Sequence, residues 1–480
     1  MSRTDTPLWQ LDATSLAMKI RDGTISAKEA VSAHVARMHA VNPQLNAVVE
    51  DLSGPALARA DALDAARARG EAVGPLHGVP ITIKINVDQA GHATSNGLPV
   101  LKDAIAQDDA PVVRNLCNAG AVVIGRTNTP EFSFRAETDN PLFGLTRNPW
   151  GDHVSAGGSS GGAGSAVMAG IGALGHGNDI GGSLRFPAAA NGAVTVKPGM
   201  GRVPAWNPSQ KAERGMLAQA MSVQGVLTRT AADQALALPC LFTPDPRDPY
   251  HVPMPYYGPA LEGPIRVACV TDTFEFPLHP EVATALARAR AALADAGYMI
   301  EETEAPLLRE AAQTGYRALM GEVAQLMGPD IEAHGSPVLK AIFAEYFRQF
   351  PPFEGAEQLK AMAQRTHYAR AWSLFLERYP LVLTPFLPHP FFAPNRDAEG
   401  PEGVRDALGG AYYSFAMNFL GLPAGNLPAH LADLPQGPQP IGVQIVGRRW
   451  REDLIVDAMA AIEARLGGVS EQLWERMAQV

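Results

Sequence analysis

Two serines in this chain each follow a glycine pair: Ser159 after Gly157-Gly158, and Ser183 after Gly181-Gly182. Both fall within SAGGSSGGAGSAVMAGIGALGHGNDIGGSLRFP, residues 155–187. Glycine reaches backbone conformations that other residues avoid and has no side chain to hold a ligand away. Consecutive amide N–H groups in such turns can converge on one point and hold a developing negative charge. A hydroxyl beside that cluster is placed to attack a carbonyl carbon. A flexible Gly/Ser linker has a similar composition. It would not carry the apolar small-residue run 166–174 between its glycines, a run that reads as a buried helix over 165–174. Nor would it end in Asp179-Ile180, Arg185 and Phe186-Pro187.

Lys84 is the third residue with chemical potential. It sits in Ile81-Thr-Ile-Lys-Ile85, where isoleucines alternate with Thr82 and Lys84, the pattern of a strand with a polar second face. Such a lysine is either an edge-strand residue snorkelling to water or a buried amine kept for function. A desolvated lysine has a lowered pKa and can act as a base. Beside a serine pair it would form a Ser-Lys variant of the catalytic triad, without histidine.

The elements that must position these groups alternate between helix and strand. Helices are expected at 12–22, from Ser26 to Asn42-Pro43, and at 55–69. The second opens with the capping box Ser26-x-x-Glu29. Strands are expected at 78–85, 121–125, 193–197, 265–270, 379–385 and 441–446, and further helices at 111–119, 230–242, 280–297, across 308–375, at 411–421 and at 452–465. Residues 199–222 read as a long irregular segment, the kind a compact domain keeps for function. The expected fold class is therefore α/β.

Length and composition set the outer bounds. At 480 residues, with 46% hydrophobic and 18% charged residues, the chain is a folded globular protein. A net charge of −10 argues against a nucleic-acid or anionic-membrane partner. Cys117, Cys240 and Cys269 stand far apart without a CxxC, so neither a disulfide framework nor a metal site is expected. The first residues, MSRTDTPLWQLDATS, show no apolar signal core, and no stretch reaches membrane-spanning length. A cytoplasmic setting is the expectation.

The ordered motifs resemble the amidase signature family. GGSSGG at 157–162 and D-x-GGS-x-R-x-PA at 179–188 match its serine/glycine block, and GPLHGVPITIK at 74–84 its lysine block. GRTNTPEF at 125–132, Asn140-Pro-Leu-Phe-Gly144, Asn148-Pro-Trp150 and Gly442-Val-Gln-Ile-Val-Gly447 follow in register, some as in fatty-acid-amide-hydrolase-like members. The separations of Lys84, Ser159 and Ser183 also agree.

This resemblance implies one large α/β/α domain over 1–480, built on a mixed, twisted sheet of roughly ten strands with helices on both faces. Residues 1–70 would be a helical layer, 74–198 the catalytic core, 199–400 a variable substrate-facing region and 401–480 a return to the core. It implies Ser183 as nucleophile, Ser159 as the bridging serine after a cis peptide at Gly158, and Lys84 as base. The amides of Ile180, Gly181, Gly182 and Ser183 would form the oxyanion hole, with Asp179 and Arg185 as scaffold. The reaction would be hydrolysis of a carboxylic amide, and by shared tetrahedral chemistry an aryl ester or carbamate, without cofactor or metal.

Asn178, Leu184 and Ala156 depart from the residues common at those positions, and none removes a catalytic group. Ser133, Trp206, Met216, Thr384 and Phe386 are candidate substrate contacts. The Met, Trp and Phe of 199–222 and 384–395 would favour an apolar or aromatic group, or else form lids or dimer contacts. The assembly would be a monomer or homodimer.

Two other readings compete. GGSSG at 157–161 fits G-x-S-x-G, which would make Ser159 the nucleophile of an elbow, but 147–156 lacks the strand an elbow needs. A glutaminase like the A-type subunit of glutamyl-tRNA amidotransferase shares the fold and block, but the segment after Pro198 does not resemble the usual continuation in that protein.

Overall fold

The computed structural model describes residues 6–479, so the reading of the first five residues lies outside the described residues. Eleven strands form one sheet: β1 (Val48–Asp51), β2 (Pro80–Lys84), β3 (Val122–Thr127), β4 (Leu174–Asp179), β5 (Val194–Lys197), β6 (Val223–Thr228), β7 (Arg266–Cys269), β8 (Met299–Glu302), β9 (Leu381–Pro385), β10 (Ala424–Leu434) and β11 (Gly437–Gly447). Their spatial order is β1-β3-β2-β4-β6-β5-β10-β11-β9-β7-β8. The sheet is mixed: β2 runs parallel to β3 and β4, and β7 parallel to β8 and β9, while the remaining pairs are antiparallel.

Both faces are covered. Successive strand residues feed two apolar cores in turn, Val267 and Cys269 one, Ala268 the other. This is the near-continuous hydrophobic strand expected of a sheet buried on both sides. One core includes apolar residues of the helices Ala27–Leu45, Pro280–Asp295 and Glu452–Leu466. The other includes those of Gly161–Met168, Leu308–Leu326 and Tyr412–Leu420.

Three local expectations change. The capping box forms, with Ser26 Oγ accepting from the Glu29 amide and Glu29 accepting from the Ser26 amide, but the helix runs past Asn42-Pro43 to Leu45. Asn46 then turns it with φ 50, and the Asn42 side chain accepts from the amides of Ala47 and Val48. The helix expected at 165–174 is Gly161–Met168 instead. Gly170 and Gly172, at φ +87 and +74, end it, and Leu174 opens β4. The segment 199–222 is irregular only to Gly215, and Met216–Met221 is a helix whose first amides are held by Glu322.

Candidate active site

Lys84 lies at the C-terminal end of β2, in the interior of the sheet between β3 and β4. Its isoleucine neighbours Ile81 and Ile83 face one core, which turns Thr82 and Lys84 toward the other side. There the helix Gly161–Met168 packs against β2 and removes Lys84 from water entirely. Of the two readings left open for this lysine, the buried amine is the one observed. Close packing of the helix depends on its small residues: a Cβ on Gly162 would stand 2.5 Å from the Asn128 amide nitrogen.

Lys84 Nζ is caged by three oxygens, Ser159 Oγ at 2.7 Å, Asn178 Oδ1 at 2.9 Å and Ser160 Oγ at 3.0 Å. Burial pushes its pKa well below the ordinary 10.5, and the Asp179 charge only partly opposes this. The Gly158–Ser159 peptide is cis. A Cβ on Gly158 would lie 2.3 Å from the Arg135 carbonyl oxygen, so glycine permits the chain to pass there. Thr129 Oγ1 donates to the Ser159 carbonyl at 3.0 Å and fixes the far side of that residue.

Ser183 lies in the turn between β4 and the helix Arg185–Asn191. It is half-buried, and the Ser160 amide donates to its carbonyl at 3.2 Å, which joins the two serine turns. Ser159 and Ser183 line the same cleft. Among the described residues no hydrogen bond links their hydroxyls directly, so only the Lys84–Ser159 half of the expected chain of contacts is closed. A hydroxyl rotates freely, and catalytic hydrogen bonds often tighten only on substrate.

The turn itself is built by Asp179. Its carboxylate accepts from the amides of Gly182 (2.8 Å) and Leu184 (3.2 Å), from Arg185 Nε and Nη2 (both 3.1 Å) and from Asn418 Nδ2 (2.9 Å). Burial alone would raise this carboxyl, but Arg185, then Lys197 and Asn418, outweigh it and hold it at about 2. One expectation is corrected here: the Gly182 amide points to Asp179 and is not part of an oxyanion hole. The amides of Ile180, Gly181 and Ser183 have no acceptor among the described residues. Gly182 has φ +131, and a Cβ there would meet Ser414 Oγ at 2.4 Å and the Phe186 ring at 2.5 Å.

The cleft holding Ser159, Ser183 and Asn178 has a volume of about 480 Å³. One end is an apolar lobe walled by Phe134, Phe186, Tyr316, Leu319, Tyr346 and Phe415, and lobe and cleft share Ser133, Phe134, Ile180, Ser183 and Leu319. A larger cavity of about 670 Å³, between Phe276, Phe350 and Tyr412, contains none of these serines.

The candidate contacts divide. Ser133 and Trp206 line the cleft, Trp206 with Arg247 stacked 4.6 Å over its ring. Met216 is exposed and does not line it. Thr384 is fully buried in the sheet, accepting from Gln444 Nε2 at 3.3 Å, and Phe386 packs edge-on to Phe186 at 5.0 Å. Both lie behind the Ser183 turn rather than in the cleft, because the strand β9 turns these side chains into the layers that support Arg185. Residues without a role in the sequence pattern also gather here. Asn86 and Asn96 line the cleft beside Ser133 and Asn178. Ser160 was visible only as the second serine of GGSSGG, and Asn178 only as a departure from Thr or Ser.

A buried lysine hydrogen-bonded to a serine, beside a second serine in a turn of acceptor-free amides, on a mixed sheet covered on both faces, defines a serine hydrolase of the Ser-Lys type. The family described as Amidase matches residues 29–456, and the chain belongs to it. It is similar to an indoleacetamide hydrolase of Bradyrhizobium diazoefficiens, 49% identical over 476 residues that cover 98% of this chain and 89% of that protein. It is also similar to the A-type subunit of a glutamyl-tRNA(Gln) amidotransferase from Moorella thermoacetica, 33% identical across 95% of this chain and 96% of that one. Among solved structures, a 6-aminohexanoate cyclic dimer hydrolase superposes with a TM-score of 0.82 at 29% identity, covering 98% of this chain and 100% of that chain. The protein is an amidase, hydrolysing a carboxylic amide at its C–N bond. No helix among the described residues is long and apolar enough to cross a membrane.

Proposed function

We propose that the chain hydrolyses primary amides of aryl-substituted acetic acids, of the indoleacetamide type, through an acyl-enzyme on Ser183. The observation that carries the substrate class is the aromatic lobe beside Ser183. Its Tyr316 and Phe415 rings stack at 4.3 Å and 20°, and Phe134 and Phe186 complete the wall. The lobe alone has a volume of only about 50 Å³, so a flat aromatic acyl group would lie in the adjoining cleft and meet these walls where the two join, through offset and edge contacts. The 49% identity with the indoleacetamide hydrolase supports the same class.

In this reading Ser183 Oγ attacks the amide carbon and passes its proton to Ser159, whose own proton moves to neutral Lys84. The oxyanion is held by the amides of Ile180, Gly181 and Ser183. The proton on Lys84 returns through Ser159 to the departing ammonia, and water then cleaves the ester on Ser183. In the same reading the chain acts as one domain, and 199–400, through Tyr316, Leu319 and Tyr346, shares substrate choice with Phe134, Phe186 and Phe415. The three free cysteines accord with a reducing compartment such as the cytoplasm.

The test is kcat/KM across indole-3-acetamide, phenylacetamide, acetamide, glutamine, an acylanilide, an aryl ester and a carbamate. Arylacetamides should lead, and Phe415→Ala should cost them more than acetamide. A preference for glutamine would point to the glutaminase reading, and one for small aliphatic amides would remove the role of the lobe.

A further inference from the structure

The three oxygens around Lys84 Nζ are not equivalent, and the hydrogen bonds behind them decide which of them can give a proton. Asn178 Nδ2 donates to Asn86 Oδ1 at 2.9 Å, and Asn86 Nδ2 donates back to Asn178 Oδ1 at 3.2 Å. Asn86 Nδ2 also reaches Ser133 Oγ at 2.9 Å. Ser133 Oγ stands 3.0 Å from Thr129 Oγ1 and 2.6 Å from Asn96 Oδ1; donating its single proton across the shorter contact, it accepts from Asn86. With Ser133 donating to Asn96, both carboxamides are set in turn, and Asn178 faces Lys84 with its oxygen, which can only accept. Ser160 Oγ donates to the Asn178 backbone carbonyl at 3.3 Å, and so it too receives from Lys84.

A neutral amine has two N–H groups and one lone pair. Asn178 and Ser160 take the two N–H groups. The lone pair is then left for Ser159, whose hydroxyl must be the donor at 2.7 Å. We propose that Asn178, held by Asn86, is a positioning residue that turns the Lys84 lone pair toward Ser159. The inference rests on the proposed base role of Lys84 and deepens it. When Ser159 gives up its proton, the resulting ammonium has three N–H groups for the same three oxygens, and no side chain has to move.

The charged and titratable groups facing Lys84 are few. From β4, Asp179 favours the ammonium. His176, whose Nδ1 accepts from the Lys84 amide at 3.4 Å, is held neutral by burial. From β3, Arg126 is paired with Glu50. From the helix Gly161–Met168 and its N-terminal turn come only serines and apolar residues. A charge placed at position 178 would therefore act on Lys84 with little competition.

The experiment compares Asn178→Asp, Asn178→Thr and Asn178→Val, with Lys84→Met as reference, on an arylacetamide across pH. Asn178→Asp puts a carboxylate beside the amine and should move the acidic limb of kcat/KM upward by about 1–3 pH units. Asn178→Thr keeps an acceptor oxygen and should retain activity within about tenfold, whereas its isostere Asn178→Val should lose about 10²-fold or more in kcat, on the scale of a misdirected base, with KM little changed. A purely structural role would lower all three variants without shifting the limb. An unshifted limb in a folded Asn178→Asp, or equal kcat in the Thr and Val variants, overturns the proposal. Should Asn178→Asp fail to fold, the Thr/Val pair alone decides. If Lys84→Met keeps activity with the wild-type limb, the base role itself falls; if Lys84→Met is dead while the Asn178 variants behave alike, only the positioning role does.

Discussion

Lys84 Nζ stands 2.7 Å from Ser159 Oγ across 75 residues of sequence, in a site from which water is excluded on the lysine side. Because burial disfavours the charged amine, Lys84 is available as a base far below the usual lysine range. Lys84→Ala should lower kcat/KM by about 10²–10⁴, most severely near neutral pH, where no other neutral amine is at hand. A pH–rate profile in wild type and variant checks this.

The same burial has a thermodynamic sign. The folded lysine has a pKa below 10.5, so between that lowered value and 10.5 the unfolded chain binds more protons than the native one. Stability of the wild type therefore rises with pH through that window. Lys84→Met lacks this contribution, so its melting temperature relative to wild type should fall steadily as pH rises from neutral toward about 10. Paired thermal melts measure the difference.

Ser183→Ala should abolish acyl-enzyme formation and labelling by a fluorophosphonate. Ser159→Ala should still label slowly at Ser183, because the nucleophile remains but its proton route is broken. Mass spectrometry of the trapped protein locates the adduct, and an adduct on Ser159 that survives in Ser183→Ala would favour the nucleophile-elbow alternative.

Gly182→Ala tests the turn. Its φ of +131 and the 2.4 Å approach to Ser414 leave no room for a methyl group. The turn must shift, and the loss of oxyanion contacts should lower kcat by about 10²–10³. Circular dichroism should show the fold retained.

Asp179 gives an acid-side prediction. Its carboxyl lies at about 2 against an ordinary 3.8, so its pairing stabilises the fold above about pH 4 and is lost as pH falls through about 2. Asp179→Asn leaves Arg185 buried beside a neutral amide and should cost about 3–5 kcal/mol at neutral pH by urea titration, with a smaller gap to wild type near about pH 2.

The candidate catalytic residues were legible because the chemistry proposed for them needs local patterns: glycine pairs before Ser159 and Ser183, and a lysine among isoleucines. The strands that carry the site's walls were not. β4 reads LGHGND, with no alternation of apolar residues, because His176, Asn178 and Asp179 serve the site and Gly177 yields space to Ser160. β6 hides for a similar reason, since a Cβ on Gly225 would strike Leu184. β1 and β8 are short edge strands, and β10 carries Asn426 and Pro428 within it. Thr384 and Phe386 were misjudged because sequence shows which residues follow a strand but not which layer they enter.

The turn carrying Ser183 is braced by residues more than two hundred positions downstream. Arg185 and Asp179 reach Asn418 and Gln444, and Ser414 Oγ donates to the Gly181 carbonyl at 2.8 Å. A ribosome makes Lys84, Ser159 and Ser183 before it reaches Ser414, Asn418 and Gln444, which brace the turn. A nascent or prematurely terminated chain thus holds every reactive side chain without the frame that aims them. A chain cut short of Ser414 is therefore expected to be inert toward amides although it carries Lys84, Ser159 and Ser183.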